Sequence, residues 1–296
     1  TMKDFQYLAP RKLDEAAQIM AAHAGAAQLL AGGTDLLIFM RSGRKAPEVV
    51  VDAKKIPELT RLELDAQQLN IGAAVTCRTL WERPDICTAY PALADATTLV
   101  GGIQIQGRAT LGGNLCNAAP SADTAPPLIV YGALANIVSA RGSRQLPVER
   151  LCTGPGRTAL ADDEILVSLT VPAPAAHSSA AFLRFIPRNE MDIAVANAAA
   201  RVDLDAAGET IKSARIAIGA VAPTPLFVEA AGAALRGQPA NADTIATAAR
   251  IARDAATPID DMRGTITHRK QLVEVLTTRA LHRALTRATG AQPDEQ

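Results

Sequence analysis

Apolar residues recur at helical spacing early in the chain. Leu13, Ala16, Ala17 and Met20 fall at i, i+3, i+4 and i+7, so residues 12–23 predict an amphipathic helix. A short buried strand follows at 28–31, then a short helix at 36–41 that Thr34 or Asp35 is placed to cap, then a buried strand at 49–51. From Leu59 the period changes. Residues 61–64 and 69–73 alternate like paired strands, with helices predicted over 78–83 and 92–100 and further strands over 133–139 and 165–171. A stretch rich in Pro, Ala and Ser at 171–179 reads as the main linker. Beyond it lie strand patterns at 180–186, 194–203 and 211–221, then helices at 243–256 and 266–289. Strands first and helices last make this a separate α+β domain. No repeat of fixed period is present.

The length of 296 residues suits about two domains. Apolar residues are 48% and charged residues 20%, which excludes a mostly disordered chain. Lys+Arg and Asp+Glu are both 30 and aromatics only 3%, so neither the basic excess nor the stacking surface of a nucleic-acid binder is present. Cys77, Cys87, Cys116 and Cys152 show no metal-ligand spacing and read as reduced thiols. No apolar run is long enough to span a bilayer, and residues 1–5 carry no apolar signal core, so the expected location is the cytoplasm.

Two glycine-rich segments carry the chemistry. The first, Ala31-Gly32-Gly33-Thr34-Asp35-Leu36, sits between a strand and a helix, where glycines let backbone approach a ligand and a helix start offers free N–H groups to a phosphate. A tight strand-to-helix turn has the same pattern. The second runs from Ala109 to Asp123: paired glycines, then Asn114 and Ser121, then one carboxylate. Exposed N–H groups, Thr110, Asn114 and Ser121 suit a pyrophosphate, and Asp123 suits sugar or ribityl hydroxyls; a polar surface loop is the competing reading. The four histidines are scattered, and no nucleophile elbow or zinc-protease motif occurs. No catalytic residue and no metal ligand is therefore assigned. A chain with two phosphate grips and no acid–base set leaves the chemistry to its cofactor.

At AGGTDLL (31–37) and TLGGNLCNAAPSADTAPPL (110–128) the chain resembles the FAD-binding medium subunit of the molybdenum hydroxylases, the xanthine dehydrogenase and carbon monoxide dehydrogenase family. The segments 153–172, 188–199 and 219–225 agree, in order, over nearly the whole chain. Bacterial enzymes that hydroxylate N-heteroaromatics, such as quinoline 2-oxidoreductase, look similar.

The resemblance implies an α+β chain. Its FAD-binding domain would be of the vanillyl-alcohol oxidase (PCMH) type with two α/β subdomains, 1–57 and 58–175, followed by a C-terminal domain at 176–296. It implies that Leu29, Leu30, Ala31, Gly32, Gly33, Thr34, Asp35 and Leu36 form one FAD loop, and Thr110, Leu111, Gly112, Gly113 and Asn114 the other. Asp123 would hold FAD hydroxyls, and Leu166 would meet the adenine or ribityl region through its backbone. Ile193 would pack near the isoalloxazine, with Arg184 as a cation beside it; a surface residue or a salt bridge is the alternative for Arg184. Val100 stands where some members place a phenylalanine against the adenine.

The implied function is an electron-transfer flavoprotein subunit. A small subunit with [2Fe–2S] clusters and a large molybdenum-pterin subunit would be its partners, in a dimer of heterotrimers that reduces an external acceptor while hydroxylating a small, N-heteroaromatic substrate. A self-contained FAD oxidoreductase and a cofactor-free docking module are the competing readings.

Overall fold

The computed structural model describes residues 2–290. Near the N-terminus, β1 (Gln6–Leu8), β2 (Ala27–Leu30) and β3 (Val49–Asp52) form a parallel sheet in the order β1-β3-β2. Helix α1 (Leu13–Ala22) links β1 to β2 and buries Ala16, Ala17 and Met20, the face its period marked. Helix α2 (Leu36–Arg41) links β2 to β3. The first glycine segment thus lies at the carboxyl end of a parallel strand, where open parallel sheets place their ligands. The short strand β1 carried no pattern in the sequence, because two of its three residues are exposed.

The second sheet is antiparallel throughout. It collects β4 (Leu62–Leu64), β5 (Gln68–Gly72), β6 (Leu134–Ser139), β7 (Gly142–Pro147) and, after a small ribbon of β8 (Cys152–Gly154) and β9 (Arg157–Thr158), β10 (Ile165–Pro172). Their order is β4-β5-β10-β6-β7. A register shift between Leu166 and Ser168 kinks β10. After α3 (Pro57–Thr60), a run of short helices packs over this sheet: α4 (Cys77–Trp81), α5 (Pro84–Ala89), α6 (Pro91–Thr97), α7 (Ile103–Gln106), α8 (Leu111–Asn117) and α9 (Ala125–Val130). Proline opens α3, α5 and α6 in the first turn, where its missing N–H costs nothing. Tyr90 and Tyr131 meet edge to face at 5.3 Å in the core beneath them.

The third sheet, β11 (Ser178–Phe185), β12 (Ala196–Leu204), β13 (Ile211–Gly219) and β14 (Leu226–Phe227), is antiparallel in that order. Helices α10 (Glu229–Leu235), α11 (Ala242–Ala255) and α12 (Ile266–Ala288) close the chain. Both faces of β12 are covered. Ala196, Ala198, Ala200 and Val202 pack with the C-terminal helices, whereas Ala199 joins the core beneath the second sheet. Close packing on both sides explains why four of its nine residues are alanine. The linker is shorter than its composition suggested: β10 continues to Pro172 and β11 begins at Ser178.

Candidate functional site

A cavity of about 690 Å³ opens where the three sheets meet, within the size range of cofactor sites. Of the residues singled out in the sequence, Leu29, Ala31, Gly32, Gly33, Thr34, Asp35 and Leu36 line it from the first loop. Thr110, Gly112, Gly113 and Asn114 line it from the second, joined by Val100, Asp123, Leu166, Arg184 and Ile193. Leu30 and Leu111 do not. Leu30 packs with Met40 and Val50, and Leu111 is fully buried in the main core. Strand and helix periodicity turns these two inward, so as side chains they belong to the scaffold.

The second segment is helical rather than a loop. Thr110 caps α8, its hydroxyl accepting from the Gly113 N–H at 3.0 Å. The Asn114 amide oxygen accepts from the Thr124 hydroxyl at 2.6 Å. Asp35 occupies the cap position of α2 but makes no capping bond, and neither does Thr34. The Asp35 carboxylate opens on the cavity, and the surrounding walls push its pKa up.

Two of the glycines also answer to a packing constraint that their pattern did not show. A Cβ on Gly32 would lie 1.9 Å from the Arg108 carbonyl oxygen, and one on Gly112 would lie 2.5 Å from both the Cβ and the carbonyl oxygen of Ala73. These positions are glycine because backbone meets backbone inside the protein. Gly33 adopts φ +76°, which also favours glycine.

Asp123 and Arg184 form a buried ion pair on one wall. Asn197 donates to the other Asp123 oxygen at 3.4 Å. Burial pushes the Asp123 carboxyl up to about 6, although the Arg184 guanidinium opposes the shift. The next residue, Thr124, holds the cap position of α9. Arg184 Nε and Asn197 Oδ1 are buried without a protein partner. Both atoms are enclosed by protein, and Asn197 backs the wall through Asp123 rather than lining the cavity itself. Asn197 was not legible as a site residue, because it stands in an alanine-rich strand with no motif around it. Met191 and Ile193, which also line the cavity, are half-exposed, and the Met191 N–H donates to the Gly101 carbonyl at 3.3 Å. The cavity is also lined by Gln28, Lys45, Gly156, Thr158 and Asp162, which no motif had marked.

Residues 3–174 match the FAD binding domain in molybdopterin dehydrogenase, and residues 181–284 match the CO dehydrogenase flavoprotein C-terminal domain. The chain belongs to the FAD-binding subunits of the molybdenum hydroxylases. It is 35% identical to a putative xanthine dehydrogenase FAD-binding subunit of Escherichia coli K12, over 89% of this chain and 90% of that one. The structure of carbon monoxide dehydrogenase from Hydrogenophaga pseudoflava superposes with a TM-score of 0.92 at 31% identity, covering 97% of this chain and 99% of that one. Quinoline 2-oxidoreductase from Pseudomonas putida 86 gives 0.89 at 30% identity, covering 98% and 99%.

The FAD-binding subunit is an oxidoreductase component whose cofactor is FAD. Its residues fit that group: the cavity is lined by both glycine segments, and the Gly32 and Gly33 N–H groups on its wall donate to no described protein group. Among the described residues no cluster of His, Cys, Asp or Glu is suited to a metal, and no helix is long and apolar enough to cross a membrane.

Proposed function

We propose that this FAD-binding subunit is the electron-transfer flavoprotein of a three-component molybdenum hydroxylase. Electrons would come from [2Fe–2S] clusters of a small partner subunit, fed by a molybdenum-pterin partner, and leave to an external acceptor. The assembly would be a dimer of heterotrimers, and the units 1–57, 58–175 and 176–296 would be its FAD subdomains and C-terminal domain. Bound FAD supplies the means to exchange single electrons with clusters and pairs of electrons with an acceptor.

The chain's own part is to hold and expose. Residues 31–36 and 110–114 would carry the pyrophosphate. Leu166, at the kink of β10, and Val100 would contact the adenine side. Asp123 would accept from FAD hydroxyls while paired to Arg184, and Arg184 would present a fixed positive charge toward the isoalloxazine beside Ile193. The observation that carries this reading is the buried Asp123–Arg184 pair, backed by Asn197, lining the same cavity as the half-exposed Met191 and Ile193. The cavity thus combines a buried ion pair with side chains reachable from outside. Relatives include a nicotinate dehydrogenase FAD subunit and a nicotine 6-hydroxylase medium subunit, which supports an N-heteroaromatic substrate for the partner.

The visible spectrum and metal content of the purified chain test the assignment. A flavin band without iron or molybdenum is expected. A folded chain that takes up no FAD would refute it.

A further inference from the structure

The first glycine segment and Arg108, the residue just before the second, are joined by a reciprocal contact. The Arg108 carbonyl fills the space where a side chain on Gly32 would stand. In return, the Arg108 guanidinium donates to the Gly32 carbonyl through Nε at 3.4 Å and Nη2 at 3.3 Å. One residue earlier, Lys54 Nζ donates to the Ala31 carbonyl at 3.4 Å. Lys54 is itself held by Asp52 at 2.6 Å, and Asp52 is nearly buried and also accepts from the Tyr7 hydroxyl. Neither Arg108 nor Lys54 lines the cavity, whereas Ala31, Gly32 and Gly33 do.

Peptide planarity turns this into a statement about the ligand side. Across a trans peptide bond the C=O and the following N–H point opposite ways. A cation on the Ala31 oxygen therefore directs the Gly32 N–H away from Lys54. One on the Gly32 oxygen directs the Gly33 N–H away from Arg108. Among the described residues, neither N–H donates to a protein group. Unpaired backbone donors beside a cavity call for an acceptor, and an anion satisfies two at once.

We propose that Arg108 and Lys54 are positioning residues for FAD: by fixing the Ala31 and Gly32 carbonyls outward, they present the two glycine N–H groups to the cofactor's pyrophosphate. This rests on the placement of FAD against residues 31–36. The two cations also place positive charge behind the loop, on the side opposite the anion.

The test is FAD titration of the flavin-free full chain, read by flavin fluorescence, with the melting temperature of the flavin-free chain alongside. Arg108→Gln should weaken FAD binding about tenfold, the scale of a charged hydrogen bond. Lys54→Gln should weaken it in the same direction. Arg108→Lys should bind within about threefold of wild type, since it retains a charged donor. The melting temperature of the flavin-free chain should hold in both Arg108 variants; Lys54→Gln, which also strips the nearly buried Asp52 of its cation, should lower it. Wild-type affinity in Arg108→Gln would overturn the proposal. So would equal losses in Arg108→Gln and Arg108→Lys accompanied by a lower melting temperature, which would make Arg108 a packing residue only. Thr34→Glu separates the underlying placement: a carboxylate in this loop should expel FAD. Full affinity there moves the cofactor off the loop and takes the proposal with it. Loss there with full affinity in Arg108→Gln overturns the proposal alone.

Discussion

Arg287, near the end of α12, grips Asp95 through two guanidinium nitrogens at 2.7 and 2.9 Å, across 192 positions of the chain. The same arginine donates to the Ala180 carbonyl, and Asp95 accepts from the Phe182 N–H at 3.1 Å. The last helix, the edge of the third sheet and α6 are thereby tied at one point. Both side chains are largely buried, so removing one strands the other. Arg287→Ala should cost about 2–3 kcal/mol in urea unfolding. Asp95→Asn should cost less, because it retains an acceptor for Phe182.

Gly112→Ala should destabilise the flavin-free chain by about 1–3 kcal/mol, because the new methyl meets Ala73 backbone that cannot withdraw. Gly107→Ala is the control: its Cβ would meet only Arg78 Cδ at 3.9 Å, and its stability should be unchanged or slightly raised. Equal behaviour of the two variants in thermal unfolding would remove the packing explanation for Gly112.

Thr110→Val should lose about 1 kcal/mol by leaving the Gly113 N–H without its cap. Thr110→Ser keeps the hydroxyl and should lie close to wild type. If the two variants unfold at the same denaturant concentration, the cap contributes nothing.

Asp123 gives a pH dependence with a definite sign. Its folded pKa is raised, to about 6, so folding favours the protonated form. The associated stability is present below the ordinary carboxylate range and is lost as pH rises through about 6. Carboxylates such as Glu164, held low by Arg144, act in the opposite sense and are common to both proteins compared. The stability of the flavin-free chain relative to Asp123→Asn should therefore fall between about pH 4 and about pH 6 and then level off. A constant difference over that window would show that Asp123 does not titrate there.

The long elements were legible because their periods are long: α1 and α12 repeat apolar residues over several turns, and β12 alternates its packing at every residue. The helices between residues 77 and 130 were only partly legible. They are short, several begin at proline, and α8 contains two glycines, so packing rather than propensity makes them helical. The glycine segments announced a site, yet the sequence alone did not show that Gly32 and Gly112 answer to neighbouring backbone. The Asp123–Arg184 pair spans 61 positions, and such a contact leaves no local signal. Arg108 and Lys54 were invisible for the same reason: each acts on a carbonyl brought to it only by the fold.

The central claim is that electrons reach this chain from partners rather than from a substrate of its own. Its most direct test is anaerobic flavin reduction, followed by absorbance, in the FAD-loaded chain alone and again after adding the iron–sulfur and molybdenum subunits. Xanthine, nicotinate, quinoline and carbon monoxide serve as a substrate panel. The account predicts that a chemical reductant bleaches the flavin in the isolated chain, that no substrate does so, and that one substrate does so once the partners are present. Substrate-dependent bleaching in the isolated chain would contradict it and place a substrate site in this polypeptide.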